Sequence, residues 1–273
     1  MRRTTVPSSN HRTRALLRRL PRETRVFASF LLIVASPFIG SFLGTVIRRL
    51  PEKRPLLLGR SECEHCHRTL GWRDLVPVVS WLAARGRCRH CGAAIGAFYP
   101  AVELAALVVA LWSVAVTPGW FAWAGAGLGW TLLTLAWIDQ RHYLLPDVLT
   151  LPLGLAGLAV AWSIDPGRLL HHAIGVVAGF GGFAGLAWLY RKVRGRSGLG
   201  GGDAKLLGAL GAWVAWWGLP TIVVYAAASG LVLVLAQAAR GQRLAFGHRL
   251  PFGPHLCLGG WLVWLYGPLL PGY

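Results

Sequence analysis

Two aspartates lie at the ends of apolar segments, where a carboxylate is costly unless it has a use. Asp203 follows three glycines and precedes the apolar run that begins at Leu206, and Asp139 ends the segment Ala136-Trp137-Ile138. The chain has only ten acidic residues, so two at such positions require an explanation. Close carboxylates share a proton, so one activates water while the other protonates a carbonyl oxygen. We therefore interpret Asp139 and Asp203 as a candidate catalytic pair for hydrolysis.

The residues around Asp203 indicate how a substrate would reach it. Gly200, Gly201 and Gly202 come directly before it, and glycine lets a second chain pass close to the backbone. We predict that these glycines form a substrate-approach loop. Lys205 follows two residues later, where its charge could act on Asp203 or contact a lipid phosphate.

Other acidic residues compete with this interpretation. Asp203 could cap the helix that follows it, and Asp147 could cap the helix after Pro146. Asp147 is also an alternative to Asp139 as the partner of Asp203. Glu103 lies near the start of an apolar segment, where it would either stabilise the helix N-terminus or belong to a site.

Four cysteines form two CxxC motifs separated by 21 residues: Cys63, Cys66, Cys88 and Cys91. Each motif turns two thiolates toward one point, and two such turns supply the tetrahedral ligands that zinc prefers. Paired disulfides would require an oxidising compartment. Nearby histidines at 65, 67 and 90 could replace a thiolate, but four cysteines suffice. We predict a structural tetrathiolate zinc site.

The composition predicts an all-α, polytopic membrane protein. Hydrophobic residues make up 55% of the 273 residues and charged residues 14%, and apolar runs recur from about Val26 onward. The runs are continuous rather than alternating, which argues against a barrel and favours helices, which satisfy the backbone in lipid. We predict about eight transmembrane helices, with spans near 26–47, 101–116, 120–138, 148–162, 170–190, 206–239 and 252–265.

The segment 206–239 accounts for two of the eight spans. Gly218-Leu219-Pro220 interrupts it, so it fits one long helix or two short spans. The proline and the basic residues that follow favour two spans that return to the starting side. The chain thus divides into a basic tail (1–25), a first transmembrane helix (26–47), a zinc module (48–99) and a transmembrane core (100–273).

The net charge of +18 suggests nucleic-acid binding as a function, but the distribution of the basic residues argues against that function. Lys and Arg flank the apolar segments, as expected for cytoplasmic loops beside anionic lipids. Two spans separate Asp139 from Asp203, which puts both on one side, and the basic loops make that side cytoplasmic. The same count makes the zinc module cytoplasmic and leaves the Arg-rich tail outside, against the positive-inside rule.

Six motifs in order resemble one family. The motifs are Gly40-Ser41-Phe42-Leu43, the CxxC pair, Tyr99-Pro100-Ala101-Val102-Glu103-Leu104, Ile138-Asp139 with Leu144-Leu145-Pro146-Asp147, Gly200-Gly201-Gly202-Asp203-Ala204-Lys205-Leu206-Leu207, and Pro251-Phe252-Gly253-Pro254. Together, over residues 38–255, they resemble a type IV prepilin peptidase.

This resemblance implies a GxGD-type membrane aspartic endopeptidase with Asp139 and Asp203 as its catalytic residues. Such enzymes cleave the basic leader of type IV prepilins or type II secretion pseudopilins at the cytoplasmic face of the bacterial inner membrane. Members with the Cys-rich loop also methylate the new N-terminus with S-adenosylmethionine, although no Gly-rich nucleotide loop is evident here. Gly44 departs from the Asn usual in the family.

Two other functions fit parts of the sequence. A proton-coupled transporter would use aspartates as proton relays, but these usually lie in mid-span, whereas Asp139 and Asp203 lie at span ends. A zinc-bearing membrane scaffold would explain the cysteines, yet it needs no glycine run before Asp203.

Overall fold

The computed structural model describes residues 22–56, 61–63, 65–117, 119–195, 200–241 and 250–269. Within these ranges the backbone forms eight α-helices and no β-strand beyond two isolated bridges. The helices are α1 (Arg22–Arg49), α2 (Val79–Ala83), α3 (Phe98–Val116), α4 (Trp120–His142), α5 (Asp147–Ile164), α6 (Leu169–Arg194), α7 (Gly201–Ala239) and α8 (Gly253–Tyr266). Short 3₁₀ helices lie at Trp72–Asp74 and Pro166–Arg168. The predicted all-α class is confirmed.

Six helical segments in the described ranges are long and apolar enough to cross a membrane. They are α1, α3, α4, α5, the segment Pro166–Arg194 that contains α6, and α7. Helix α8 has 14 residues and a length of about 21 Å, less than the hydrocarbon thickness of about 30 Å. The chain is thus a multi-pass membrane protein.

Helix α7 consists of two arms, residues 201–214 and 216–239, joined at Ala215, whose φ of 59° and ψ of −179° are not helical. Contacts with α8 give the direction of each arm. Along the first arm they advance in parallel with α8, from Leu210 against Gly260 to Trp213 against Trp264. Along the second arm they run in reverse, pairing residues 218, 222 and 230 with residues 263, 259 and 255.

The chain therefore turns back on itself at Ala215, as expected for two returning spans. With the arms counted separately and α8 included, the described ranges contain eight apolar helical segments, against about eight predicted transmembrane helices, but the first arm and α8 have only 14 residues each. The expected position of the turn, Gly218-Leu219-Pro220, was wrong. Pro220 lies inside the second arm, and the turn occurs at an alanine, a strong helix former that carries no sequence signal for a break.

Glycines let α6 pack tightly on the first arm of α7. A Cβ atom added to Gly179 would lie 2.6 Å from the carbonyl oxygen of Leu207, and one added to Gly208 would lie 3.1 Å from that of Val176. Such contacts between small residues bring helix backbones together in membranes. This packing fixes the arm that begins beside Asp203.

The chain divides into two compact units. Residues Arg22–Trp130 form the N-terminal unit, and the described residues from Thr131 onward form the C-terminal unit. The contacts thus group the cysteine module with α1 and α3 in one unit. The division predicted from the sequence instead treated residues 48–99 as a separate module. Helix α1 begins at Arg22, and residues 1–21 of the predicted tail lie outside the described residues.

Candidate active site

Asp139 and Asp203 are both buried in the C-terminal unit. Asp139 lies in the last turn of α4 and is 6% exposed, and Asp203 lies in the first turn of α7 and is 9% exposed. The segments that carry them are in contact, since a Cβ at Gly202 would lie 3.1 Å from Cβ of Leu145, and the two carboxylates are within electrostatic range of each other and of Cys257 in α8. The two aspartates singled out in the sequence are therefore neighbours.

Helix α8 provides a hydrogen bond to the first of these carboxylates. The backbone N–H of Gly253, the first residue of α8, donates to Oδ2 of Asp139 over 3.1 Å. A Cβ atom at Gly253 would lie 2.5 Å from that oxygen and 2.9 Å from Cγ. The Asp139 carboxylate can therefore approach the N-terminus of α8 this closely only because residue 253 has no side chain. Negative charge is stabilised at a helix N-terminus.

The role of Gly253 was not foreseen. The motif Pro251-Phe252-Gly253-Pro254 contributed to the family resemblance, but 114 positions separate Gly253 from Asp139. The sequence places this glycine between two prolines at the start of an apolar segment. That pattern predicts the start of a helix, but it does not predict that Gly253 contacts Asp139.

The glycine run before Asp203 is mostly helical, which corrects the predicted loop. Gly200 is the N-cap residue with φ −75° and ψ 139°, and Gly201 and Gly202 are the first helical residues of α7. None of the three has a positive φ. Small size matters at Gly202, where a Cβ would lie 3.1 Å from Cβ of Leu145, whereas a Cβ at Gly201 would meet no atom within 4 Å.

Asp147 and Lys205 form an ion pair. The Lys205 Nζ lies 2.8 Å from both carboxylate oxygens of Asp147, and the two side chains are 43% and 53% exposed. Asp147 is the first residue of α5, and Pro146 occupies the N-cap position. Asp139 and Asp147 were the two candidate partners of Asp203. Of these, Asp139 is buried, whereas Asp147 is exposed and forms an ion pair with Lys205.

Glu103 belongs to the N-terminal unit. It lies beyond the first turn of α3, is 5% exposed, and accepts a 2.7 Å hydrogen bond from the backbone N–H of Val78. Of the two alternatives left open for Glu103, stabilising the helix N-terminus is therefore not what its carboxylate does, because it accepts a hydrogen bond from a residue of the cysteine module.

The two CxxC motifs have the same local fold. In each, the first cysteine donates its N–H to a carbonyl five residues later, which is Arg68 for Cys63 and Ala93 for Cys88. An antiparallel bridge closes each turn, Glu62 with Thr69 and Arg87 with Ala94. The two CxxC motifs therefore form matching turns.

The four cysteines are free thiols positioned to hold a metal ion. Their Sγ atoms all lie within 4.8 Å of one another, and Cys63 and Cys91 are 3.9 Å apart. Backbone hydrogen bonds from Cys66 and His65 lower the pKa of the Cys63 thiol to about 6. For Cys91, a backbone hydrogen bond with Ala93 acts to lower the pKa, but burial and the neighbouring thiols raise it to about 11. A metal cation would stabilise all four as thiolates.

Two family models match this chain. One, described as the bacterial Peptidase A24 N-terminal domain, matches residues 34–117, and one described as the type IV leader peptidase family matches residues 126–235. The first covers most of the N-terminal unit, and the second covers both buried aspartates. No solved structure matches the chain.

Curated relatives match over most of their length. A protein of Burkholderia pseudomallei is 39% identical over 261 residues, covering 86% of this chain and 84% of the relative. Proteins of Aeromonas salmonicida and Pseudomonas aeruginosa are each 36% identical, and the alignments cover 87% and 86% of this chain and 90% and 89% of the relatives. All three are named prepilin leader peptidase/N-methyltransferase. With both family models and these relatives in agreement, the chain is an enzyme that belongs to the type IV leader peptidase family.

Proposed function

We propose that this enzyme cleaves the leader peptide of type IV prepilins or type II secretion pseudopilins, with Asp139 and Asp203 as its catalytic pair. The observation that carries the proposal is the convergence of these two buried carboxylates from α4 and α7. The names of the relatives support the substrate class.

The chemistry follows from a shared proton. Two close carboxylates cannot easily both ionise, so the pair holds one proton between them. The ionised member takes a proton from water, whose oxygen attacks the scissile carbonyl carbon, and the protonated member gives its proton to the carbonyl oxygen. When the C–N bond breaks, the leaving nitrogen takes the proton that the first aspartate removed from water, and the oxygen returns its proton to the second aspartate as the carbonyl re-forms. Aspartic peptidases are the general precedent for this division of labour.

We place the reaction at the cytoplasmic face of the bacterial inner membrane. Two spans, α5 and α6, separate the two aspartates, which puts both at the same side of the membrane. Basic residues end the helices on that side, with Arg141 in α4 and Arg191, Lys192 and Arg194 in α6. Such residues favour the cytoplasmic side and anionic lipids, and nucleic-acid binding is not needed to explain them.

We further propose that the enzyme methylates the new N-terminus, with S-adenosylmethionine as the methyl donor. The names of the relatives include an N-methyltransferase activity, and they match both units of this chain. Cleavage exposes the amine that such a reaction would use.

We propose zinc as the metal held by the cysteine module. Thiolates are preferred ligands of zinc, and a closed four-cysteine set is typical of structural sites. Elemental analysis of purified protein is expected to find about one zinc per chain, because one tetrahedral site takes one ion. Cys88→Ser should remove most of it, and Cys257→Ser, outside the cluster, should not. Metal-free protein with two disulfides would contradict this assignment.

Cleavage can be tested with purified enzyme in detergent and a full-length prepilin substrate. Mass spectrometry of the product is expected to show loss of the leader, and addition of S-adenosylmethionine is expected to add the mass of one methyl group to the product. An intact substrate would contradict the peptidase assignment. If proteoliposomes of the same protein also moved protons, the transporter alternative would be favoured.

A further inference from the structure

The cysteine module carries a group of exposed apolar side chains between its two CxxC motifs. Each is between 43% and 74% exposed, and they are Trp72, Leu75, Val79 and Leu82. Trp72 and Leu75 lie one 3₁₀ turn apart, and Val79 and Leu82 lie three residues apart in α2, so each pair shares one side of its helix. The 3₁₀ helix contacts α2. Clustered apolar side chains at a surface mark contact with a partner or a membrane.

The opposite side of α2 packs inside the module. The Trp81 Nε1 donates a hydrogen bond to the carbonyl of Ile95 over 3.0 Å, and a Cβ atom at Gly86 would lie 3.0 Å from the Trp81 ring. Pro77, just before the helix, is buried. Helix α2 therefore has an inner side that holds the module together and an outer apolar side without a packing role in it.

Helices α1 and α3 indicate where the membrane boundary lies. Helix α3 has 19 residues and a length of about 29 Å, close to the hydrocarbon thickness of about 30 Å, so it needs its whole length to cross. Helix α1 ends in Arg48 and Arg49, and the Arg48 guanidinium carbon lies 4.9 Å from the ring centroid of Phe98, the first residue of α3. Because basic residues lie at the ends of spans, the boundary is near Phe98.

Glu103 brings the start of α2 to the level of this boundary. Glu103 lies five residues after Phe98, about 7–8 Å along α3, and its Oε2 accepts the N–H of Val78 over 2.7 Å. A helical side chain tilts toward the start of its helix, so Val78 lies between the boundary and the depth of Glu103. Helix α2 begins at the next residue, Val79. Interfacial elements bury their apolar faces about 5–10 Å into the headgroup–acyl boundary, which is the same range of depth.

The charges around the apolar side chains match an anionic lipid surface. Arg73 and Arg85 are exposed, and the Arg73 guanidinium carbon lies 5.2 Å from the Trp72 ring centroid. Asp74 is the one acidic residue between them in the sequence, and it pairs with Arg89 over 3.3 Å. Tryptophan is enriched at membrane interfaces, and Arg near the surface attracts anionic lipids.

We propose that residues 72–85, the interfacial segment, dock on the lipid bilayer beside α3. The four apolar side chains lie in the headgroup–acyl boundary, and Arg73 and Arg85 contact the phosphates of anionic lipids. The partner is the surface of the membrane that α1 and α3 cross, and the assignment does not depend on the proposed peptidase reaction. Docking holds the cysteine module against the membrane.

Photo-crosslinking of the zinc-loaded, full-length enzyme tests this docking. The photoreactive residue p-benzoylphenylalanine replaces Leu82, and the enzyme is reconstituted in nanodiscs of phosphatidylglycerol and phosphatidylcholine. Mass spectrometry of the irradiated protein is expected to show phospholipid adducts. The same residue in place of Trp81, on the inner side of α2, is expected to give few. In place of Phe30, an exposed residue of α1, it provides the positive control for reaction with lipid.

The lipid found in the adducts tests the role of the arginines. Adducts at Leu82 are expected to contain phosphatidylglycerol at least about twofold above its share of the bilayer, because Arg near the surface attracts anionic lipid. Arg73→Gln combined with Arg85→Gln should return the adducts to the bulk share. Arg73→Lys combined with Arg85→Lys keeps both charges and should keep the enrichment. Zinc content should match wild type in both double variants, which checks that the module is folded.

Three outcomes would overturn the docking. The first is the absence of lipid adducts at Leu82 while Phe30 gives them. The second is crosslinking of Leu82 to the C-terminal unit in place of lipid, because the chain itself would then cover this face. The third is crosslinking to added prepilin with no lipid adduct in its absence. Adducts at the bulk lipid share in wild type would overturn the role of the arginines. Lipid adducts on an enzyme that fails to cleave prepilin would support the docking and contradict only the peptidase assignment.

Discussion

Asp139→Asn and Asp203→Asn are each expected to reduce the rate of leader cleavage by about 10²–10⁴-fold, the usual contribution of general acid–base catalysis. Asparagine matches aspartate in shape but can neither share the catalytic proton nor accept one from water. Because both residues act in one proton-sharing pair, the double variant should lose little more than either single variant. The measurement is the initial rate of leader loss from full-length prepilin in detergent.

These variants need a readout that does not depend on catalysis. Zinc content depends on the cysteine module of the N-terminal unit and should match wild type in all three variants. Full cleavage by either single variant, with the substrate verified as leader-bearing at the start, would remove that aspartate from the catalytic pair.

Gly253→Ala is expected to lower kcat for cleavage by about 100-fold, with a smaller change in KM. The added Cβ would lie 2.5 Å from Oδ2 of Asp139, which real contacts do not tolerate, so the carboxylate or the start of α8 must move. A displacement of about 1 Å in a catalytic group can cost about 10²-fold in rate. Substrate binding should change less because the substitution acts on the position of a reacting group.

Gly181→Ala provides the matched control for this substitution. Gly181 lies in α6, and a Cβ added there would meet no atom within 4 Å. Its cleavage rate should therefore stay close to that of wild type. If Gly253→Ala also cleaved at the wild-type rate, Gly253 would have no part in positioning Asp139.

The sequence predicted the features that depend on local pattern. Long apolar runs identified the helices, and CxxC spacing identified four cysteines whose sulfurs lie within 4.8 Å of one another. Asp139 and Asp203 could be predicted to lie on the same side of the membrane because two predicted spans separate them. This prediction requires no knowledge of side-chain contacts.

Contacts between distant residues could not be predicted in the same way. The Gly253 hydrogen bond to Asp139 and the Lys205 ion pair with Asp147 join residues 114 and 58 positions apart. The turn at Ala215 depends on packing against α6 and α8, which overrides the helix propensity of alanine. The glycine run before Asp203 differs from its prediction in the opposite way. A loop was predicted because glycine disfavours helices, but Gly201 and Gly202 are the first residues of α7.

The most direct test of the catalytic pair compares Asp139→Asn with Asp147→Asn under identical conditions. Both remove one carboxylate next to the α4–α5 connection, but Asp139 is buried beside Asp203, whereas Asp147 forms an exposed ion pair with Lys205. An exposed ion pair contributes about 0–1 kcal/mol, so Asp147→Asn should cleave prepilin within about fivefold of wild type. Asp139→Asn should lose at least about 100-fold. An equal loss in both variants, or a larger loss in Asp147→Asn, would contradict the assignment of Asp139 as the partner of Asp203.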